Sequence, residues 1–148
     1  MTPCAPARGR TRLDVGVLAW MRLARVFHKI HQSSTERLRE AGLSFGQFDI
    51  LAQVGAREGA TQQDVADALL VSKSNVCQIL DRMEDAGLVE RRQRGRAKQI
   101  FLTAAGRSVY ATQVPAHERH IAELLSALPR DEQGQLLRLL RTVDHALG

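Results

Sequence analysis

TQQDVADALLVSKSNVCQILDRMEDAGLVERRQRGRAKQIFLT, residues 61–103, is the stretch that decides how this chain folds. Thr61-Gln62-Gln63-Asp64 carries the hydroxyl-x-x-acid start of a helix: the Thr61 hydroxyl accepts from the Asp64 amide, and the Asp64 carboxylate sits at the helix's positive end. A helix is therefore expected from about Gln62, with Val65, Ala66 and Leu69 recurring on its apolar side and Asp64 and Asp67 facing out. Leu70 and Val71 form a short apolar turn. Ser72 is then the N-cap of a second helix that runs to Ala86, where Gly87 supplies the stop.

The second helix has two faces. Val76, Ile79, Leu80 and Met83 keep the spacing of a buried stripe, while Lys73, Ser74, Cys77, Gln78, Asp81 and Arg82 fall elsewhere around the wheel. Its first two turns are polar and free of acid until Asp81, which suits a helix that enters a DNA major groove N-terminus first. Leu88–Arg92 and Gln99–Thr103 then read as strands around a loop at 93–98, with Gly95 permitting the turn. This hairpin holds five arginines and lysines between Arg91 and Lys98 and no acid. Alone, such a hairpin is a solvated basic turn. Next to two helices joined by a tight turn, it reads as an arm for the minor groove. Helix, turn, helix and basic hairpin in that order make a winged helix-turn-helix.

Four runs carry a family resemblance: Val71-Ser72-Lys73-Ser74-Asn75-Val76, Leu80-Asp81-Arg82-Met83-Glu84, Gly87-Leu88-Val89-Glu90-Arg91-Arg92 and Leu102-Thr103-Ala104-Ala105-Gly106-Arg107. Together they resemble the DNA-binding core of MarR-type transcriptional regulators. Ser44-Phe45-Gly46-Gln47-Phe48-Asp49-Ile50-Leu51 is similar to that family's helix before the helix-turn-helix, and Val114-Pro115-Ala116-His117 to part of its long fifth helix. The likeness runs from about Leu13 to the C-terminus. It implies a sequence-specific transcriptional regulator, a homodimeric ligand-responsive repressor on an inverted-repeat operator. It also implies a DNA-facing set of Gln62, Ser72, Lys73, Ser74, Asn75, Cys77, Gln78, Arg82, Arg92, Arg94, Arg96 and Lys98. Within that set Ser74, Asn75, Cys77 and Gln78 are expected to read bases, and Lys73, Arg92, Arg94 and Lys98 to hold phosphates. Wings of the family usually carry Asp-x-Arg on a longer loop. Here Arg94 stands in the place of the Asp, and Arg96 matches the Arg and is the candidate for the minor groove.

The rest of the chain agrees with a polyanionic partner. Its formal charge is +5 over 148 residues, and 44% hydrophobic content is enough for one folded domain. Residues 1–12, with Pro3, Pro6 and Gly9 beside Arg8, Arg10 and Arg12, read as a flexible basic arm, and residues 13–148 as a single domain. Within that domain residues 44–103 form the winged helix-turn-helix lobe, and residues 13–40 with 104–148 a helical dimerisation region. Helices are expected at 13–40, 45–57, 104–127 and 130–147, with Pro115 as a site for a kink and Pro129 opening the last. The fold class is thus mainly α, with a two-stranded β-wing. No secretory leader and no run of about eighteen apolar residues occurs, so a cytoplasmic protein without a membrane span is expected.

The first helix is apolar over more than one stripe, through Val17, Leu18, Trp20, Met21, Leu23, Ala24, Val26, Phe27 and Ile30. Ile121, Leu124, Leu125 and Leu128 with Leu136, Leu137, Leu139, Leu140, Val143 and Leu147 form a second apolar surface. Termini interlocked with those of a second copy would cover both, as they do in the resembled family. A twofold dimer calls for half-sites about one helical turn apart.

Sensing residues are fewer. His28 and His31, and His117 and His120, are spaced for one helical face, but no Cys joins them and no metal site is assigned. By resemblance, Trp20, Arg22, His28 and His117 are candidates to line a cleft between the lobes that takes a small aromatic anion as effector; no cofactor is expected. Cys4 and Cys77 lack a CxxC spacing and read as free thiols. No GxSxG, HExxH or P-loop occurs, so an enzyme is not expected. Two alternatives stand beside the main reading: a redox- or metal-responsive regulator of the same fold, and a nonspecific architectural DNA binder.

Overall fold

Side-chain caps set where the helices begin. In the computed structural model, which describes residues 12–148, Asp14 accepts from the Gly16 amide at 2.7 Å and opens α1 (Val15–Glu40). Ser44 and Gln47 exchange two 3.1 Å bonds as a capping box for α2 (Phe45–Ala56). Thr61 and Asp64 do the same for α3 (Gln62–Leu69), at 3.1 and 2.9 Å. Ser72 accepts from Asn75 ahead of α4 (Lys73–Asp85), and Thr103 accepts from Gly106 ahead of α5 (Ala104–Leu125). Pro129 precedes α6 (Arg130–Leu147), whose first turn holds Asp131 and Glu132. Each cap satisfies amides that a helix N-terminus leaves without partners. The expected arm, with Cys4, Arg8 and Arg10, lies outside the described residues apart from Arg12.

The turn between α3 and α4 rests on Leu70, the only non-glycine with positive φ (55°) among the described residues. Its left-handed backbone returns the chain so that the Val71 amide bonds the Ala66 carbonyl at 3.1 Å.

The hairpin differs from expectation in its length. β1 (Val89–Arg94) and β2 (Ala97–Leu102) pair antiparallel from Val89 opposite Leu102 to Arg94 opposite Ala97. The turn is therefore Gly95-Arg96 alone, in place of a loop at 93–98. Gly95 at φ 61° occupies the first position of a two-residue turn, the geometry whose twist matches paired strands, so the ladder continues to the tip.

One core joins these parts. Ile50, Leu51 and Val54 of α2, Val65 and Ala66 of α3, Val76, Leu80 and Met83 of α4, and Val89, Ile100 and Leu102 of the hairpin are all buried. The expected stripe on α4 is thus buried except for Ile79, which packs at its edge. Ile100 is tied to the α2–α3 connection by its amide to the Ala60 carbonyl and its carbonyl to the Gly59 amide, both 2.9 Å. At Gly106 in the first turn of α5, a Cβ would lie 1.9 Å from the Leu88 carbonyl oxygen, so only glycine lets α5 reach the base of the wing.

A smaller cluster of Leu38, Leu43 and Phe48 joins α1, α2 and α5. The two ends of the chain are different. The N-terminal half of α1 exposes Val15, Leu18, Trp20, Met21 and Phe27, and α6 buries no residue while presenting Leu137, Leu139, Val143 and Leu147. Among the described residues no helix is long and apolar enough to cross a membrane.

Candidate nucleic-acid interface

The N-termini of α3 and α4 and the outer half of the hairpin enclose an open hollow of about 560 Å³, lined by Thr61, Gln63, Lys73, Ser74, Cys77, Gln93, Arg96 and Lys98 among others. The folding reasons are local. The α3–α4 turn aims the first turn of α4 outward, and the two-residue hairpin turn holds Arg96 and Lys98 across from it. Ser72, Lys73, Ser74, Asn75, Gln78 and Arg82 are exposed, and Cys77 is half-buried. Lys73, Arg82, Arg94, Arg96 and Lys98 make no ion pair among the described residues, so their charge is available to a polyanion.

Two members of the expected set are placed differently. Gln62 is only 6% exposed, because the first turn of α3 packs against β2, where Thr61 forms a bridge with Gln99. Gln62 still contributes to the lining of the hollow, so its burial limits the surface it presents there without removing it from the site. Arg92 is exposed but engaged: it pairs with Glu90, and its guanidinium lies 4.3 Å from the centre of the Phe101 ring.

Arg91 is the residue that sequence reasoning missed. Its side chain is 13% exposed; Nη2 donates to Asp81 at 2.6 Å and Nε to Glu84 at 2.7 Å, and Nη1 lies 3.9 Å from the Cys77 sulfur. Burial works against its charge, but the bonds it donates to Glu84 and Asp81 more than offset that and raise its pKa above the ordinary guanidinium value. The signal was present in the sequence: positions 77, 81 and 84 share one stripe of α4, and Arg91 alternates with the buried Val89 on the inner face of β1.

A second ion pair supports the lobe from behind. Arg107 donates to both oxygens of Glu58, at 3.1 to 3.3 Å, while Glu58 Oε1 also accepts from the Leu102 amide. The hydrogen bond from Arg107 holds the Glu58 carboxyl below the usual carboxylate range.

At the junction of α1, α2 and α5 the rings of His31, Phe45, Phe48 and His117 pack together, with His31 4.3 Å from Phe45 and His117 4.6 Å from Phe48. Burial lowers the His117 pKa, and the nearby His120 and Arg37 lower it further. Asp49 is pushed up by burial, which the charge of His31 opposes. His120 shares a 3.0 Å hydrogen bond with Ser33. The proposed effector residues do not converge within one chain: His117 is in this ring cluster, Trp20 and His28 are exposed on α1, and Arg22 lines an open hollow on α1 with Val15, Leu18 and Met21. Among the described residues no group of three or more His, Cys, Asp or Glu is placed to hold a metal ion.

A polar, outward-aimed helix in a tight helix-turn-helix, flanked by a basic hairpin, defines the winged helix-turn-helix class. Residues 41–100 match the model of the MarR family. YkoM of Bacillus subtilis (strain 168), an uncharacterized HTH-type transcriptional regulator, is 30% identical over 121 residues, 80% of this chain and 79% of that protein. An HTH-type transcriptional regulator of Bacillus anthracis is 28% identical over 131 residues, 88% of this chain and 89% of its own length. Among solved structures, AbsC, a MarR family transcriptional regulator from Streptomyces coelicolor, superposes with a TM-score of 0.83 at 24% identity, covering 93% of this chain and 97% of that one. The Staphylococcus aureus MepR–DNA complex gives 0.78 at 24% identity, covering 93% and 100%. The chain belongs to the MarR family of transcriptional regulators.

Proposed function

We propose that this regulator is a homodimeric, ligand-responsive repressor that binds an inverted-repeat operator. The observation that carries the DNA-reading half is the exposed, acid-free start of α4 facing the unpaired Arg96 and Lys98 of the wing across one hollow. In this reading Ser74, Asn75, Cys77 and Gln78 read base edges in the major groove, and Arg96 enters the minor groove. Lys73, Arg94 and Lys98 hold phosphates, with Ser72 and Arg82 at the edges of the contact. Arg92, already paired, contributes less than they do.

The exposed apolar faces of α1 and α6 support the dimer, since monomers rarely leave so much contiguous apolar surface in water. Residues 44–103 then act as the reading lobe, and residues 13–40 with 104–148 hold the two copies together. An effector, in the family's manner a small aromatic anion, loosens DNA by changing the spacing of the lobes; the coupling is of order 1–3 kcal/mol.

Selection of random duplexes by the purified protein tests the reading. An inverted repeat bound at least about a thousandfold tighter than scrambled DNA at physiological salt is the expected result. Equal binding of every duplex would point to an architectural role.

A further inference from the structure

We propose that Arg91 is a positioning residue that braces the wing against the recognition helix and masks Asp81 and Glu84, two of that helix's three acids, from DNA. The inference rests on the DNA-reading function above and assigns a specific device to it.

Arg91 sits opposite Ile100 on the inner face of the hairpin, one alternation beyond the buried Val89. It is the last inward residue whose side chain is held by α4: the next, Gln93, lines the hollow and bonds the Gly95 carbonyl within the hairpin itself. Among the described residues, Arg91 thus makes the outermost side-chain hydrogen bonds that tie the hairpin to α4. All three of its nitrogens are directed to α4, at Glu84, Asp81 and Cys77, so one planar fork grips almost two turns of the recognition helix. Such a grip fixes the angle between the hairpin and the helix.

The same contact has an electrostatic consequence. Asp81 and Glu84 are the first acids on α4 after its polar start, and their side chains are 59% and 43% exposed. Unpaired, they would repel phosphates beside the reading face. Arg91 offsets them without presenting its own charge, since the guanidinium is largely buried. It is thus distinct from Arg94, Arg96 and Lys98, which stay exposed and unpaired among the described residues.

The two roles can be separated because they predict opposite signs. In the full chain, Asp81→Asn with Glu84→Gln removes two exposed acids from the DNA-facing helix while leaving amide oxygens that can still accept from Arg91, a change that by charge alone tightens binding to any duplex. If Arg91 positions the wing, the ratio of operator to scrambled affinity instead falls by about tenfold or more, the worth of a charge-assisted hydrogen bond. Hydrogen exchange at the wing amides of Gln93 to Lys98 accelerates alongside it. Arg91→Lys keeps the charge and loses the fork, and shows the same two changes. An unchanged ratio, an unchanged wing exchange rate, or an equal tightening on both duplexes overturns the proposal. Should the unaltered protein select no sequence at all, the DNA-reading assignment fails by itself, and the exchange rates of the variants still decide whether Arg91 braces the wing.

Discussion

Arg91 and Arg92 are neighbours with different duties, and the difference comes from strand alternation. Arg91 turns inward to two carboxylates of α4, while Arg92 turns outward over Phe101 and beside Glu90. A count of basic residues treats them alike. For the exposed cations the expected effect is simple: Lys73→Gln or Lys98→Gln weakens binding on all sequences and lowers the slope of log affinity against log salt by about 0.9, the mark of one lost phosphate contact. A salt titration with operator and scrambled duplexes reads this directly. Gln78→Ala is expected to shift the preferred base at one operator position, with a cost of about 1–3 kcal/mol there; an unaltered preference in a repeated selection removes Gln78 from the reading set. Gly106→Ala should destabilise the fold by about 3 kcal/mol or more in urea unfolding, because its Cβ meets the backbone oxygen of Leu88 and not a flexible side chain.

His117 adds a pH dependence at the same scale. Its folded pKa is lowered, chiefly by burial, so the unfolded chain holds its proton more readily. The group's contribution is complete above the ordinary value of 6.5 and is lost as pH falls below it toward the folded value. Urea midpoints measured from pH 7.5 down to 5 should decline, and His117→Phe should make that decline shallower.

Among the elements, helix starts were legible because a cap and its partner are three residues apart. Thr61 with Asp64, and Ser72, each begin a helix where their side chains predict one, and Thr103, read only as a strand end, caps α5 in the same way. Thr61→Ala breaks one bond of the capping box and is expected to cost about 1 kcal/mol, visible as a lower urea midpoint. The hairpin was legible in kind and misjudged in length. Gln93, Arg94, Ala97 and Lys98 are polar or small and carry no strand pattern, yet they pair, because Gly95 allows a two-residue turn and the ladder then has no reason to open. The buried Gln62 was missed for a related cause. A first-turn position on α3 looks exposed from the helix wheel alone, and only the approach of β2 at Thr61 and Gln99 covers it.

At the scale of the whole molecule the main fact is incomplete burial. The core around α2, α3, α4 and the hairpin is closed, whereas α6 and the start of α1 leave leucines, Trp20 and Phe27 in the open. If those faces pair two copies, Leu139→Glu should shift sedimentation toward the monomer and weaken operator binding, since each half-site would then be held alone. The effector candidates belong to the same scale. Trp20, Arg22 and His28 do not meet His117 inside one chain, so a site that uses them all would need surfaces from a second copy.

The amino-acid order by itself determined the helix starts, the buried stripe of α4, the basic wing and the uncovered apolar ends. Each depends on residues a few positions apart, through capping, periodicity and local charge. Tertiary structure alone decided that Gln62 is buried and that Arg92 is engaged, and it brought two patterns already legible, the 77–81–84 stripe of α4 and the inward alternation of β1, together at Arg91. Those outcomes turn on which side of an element meets a neighbour distant in sequence, and a side chain's charge becomes available to a partner only after the fold has made its own claims on it.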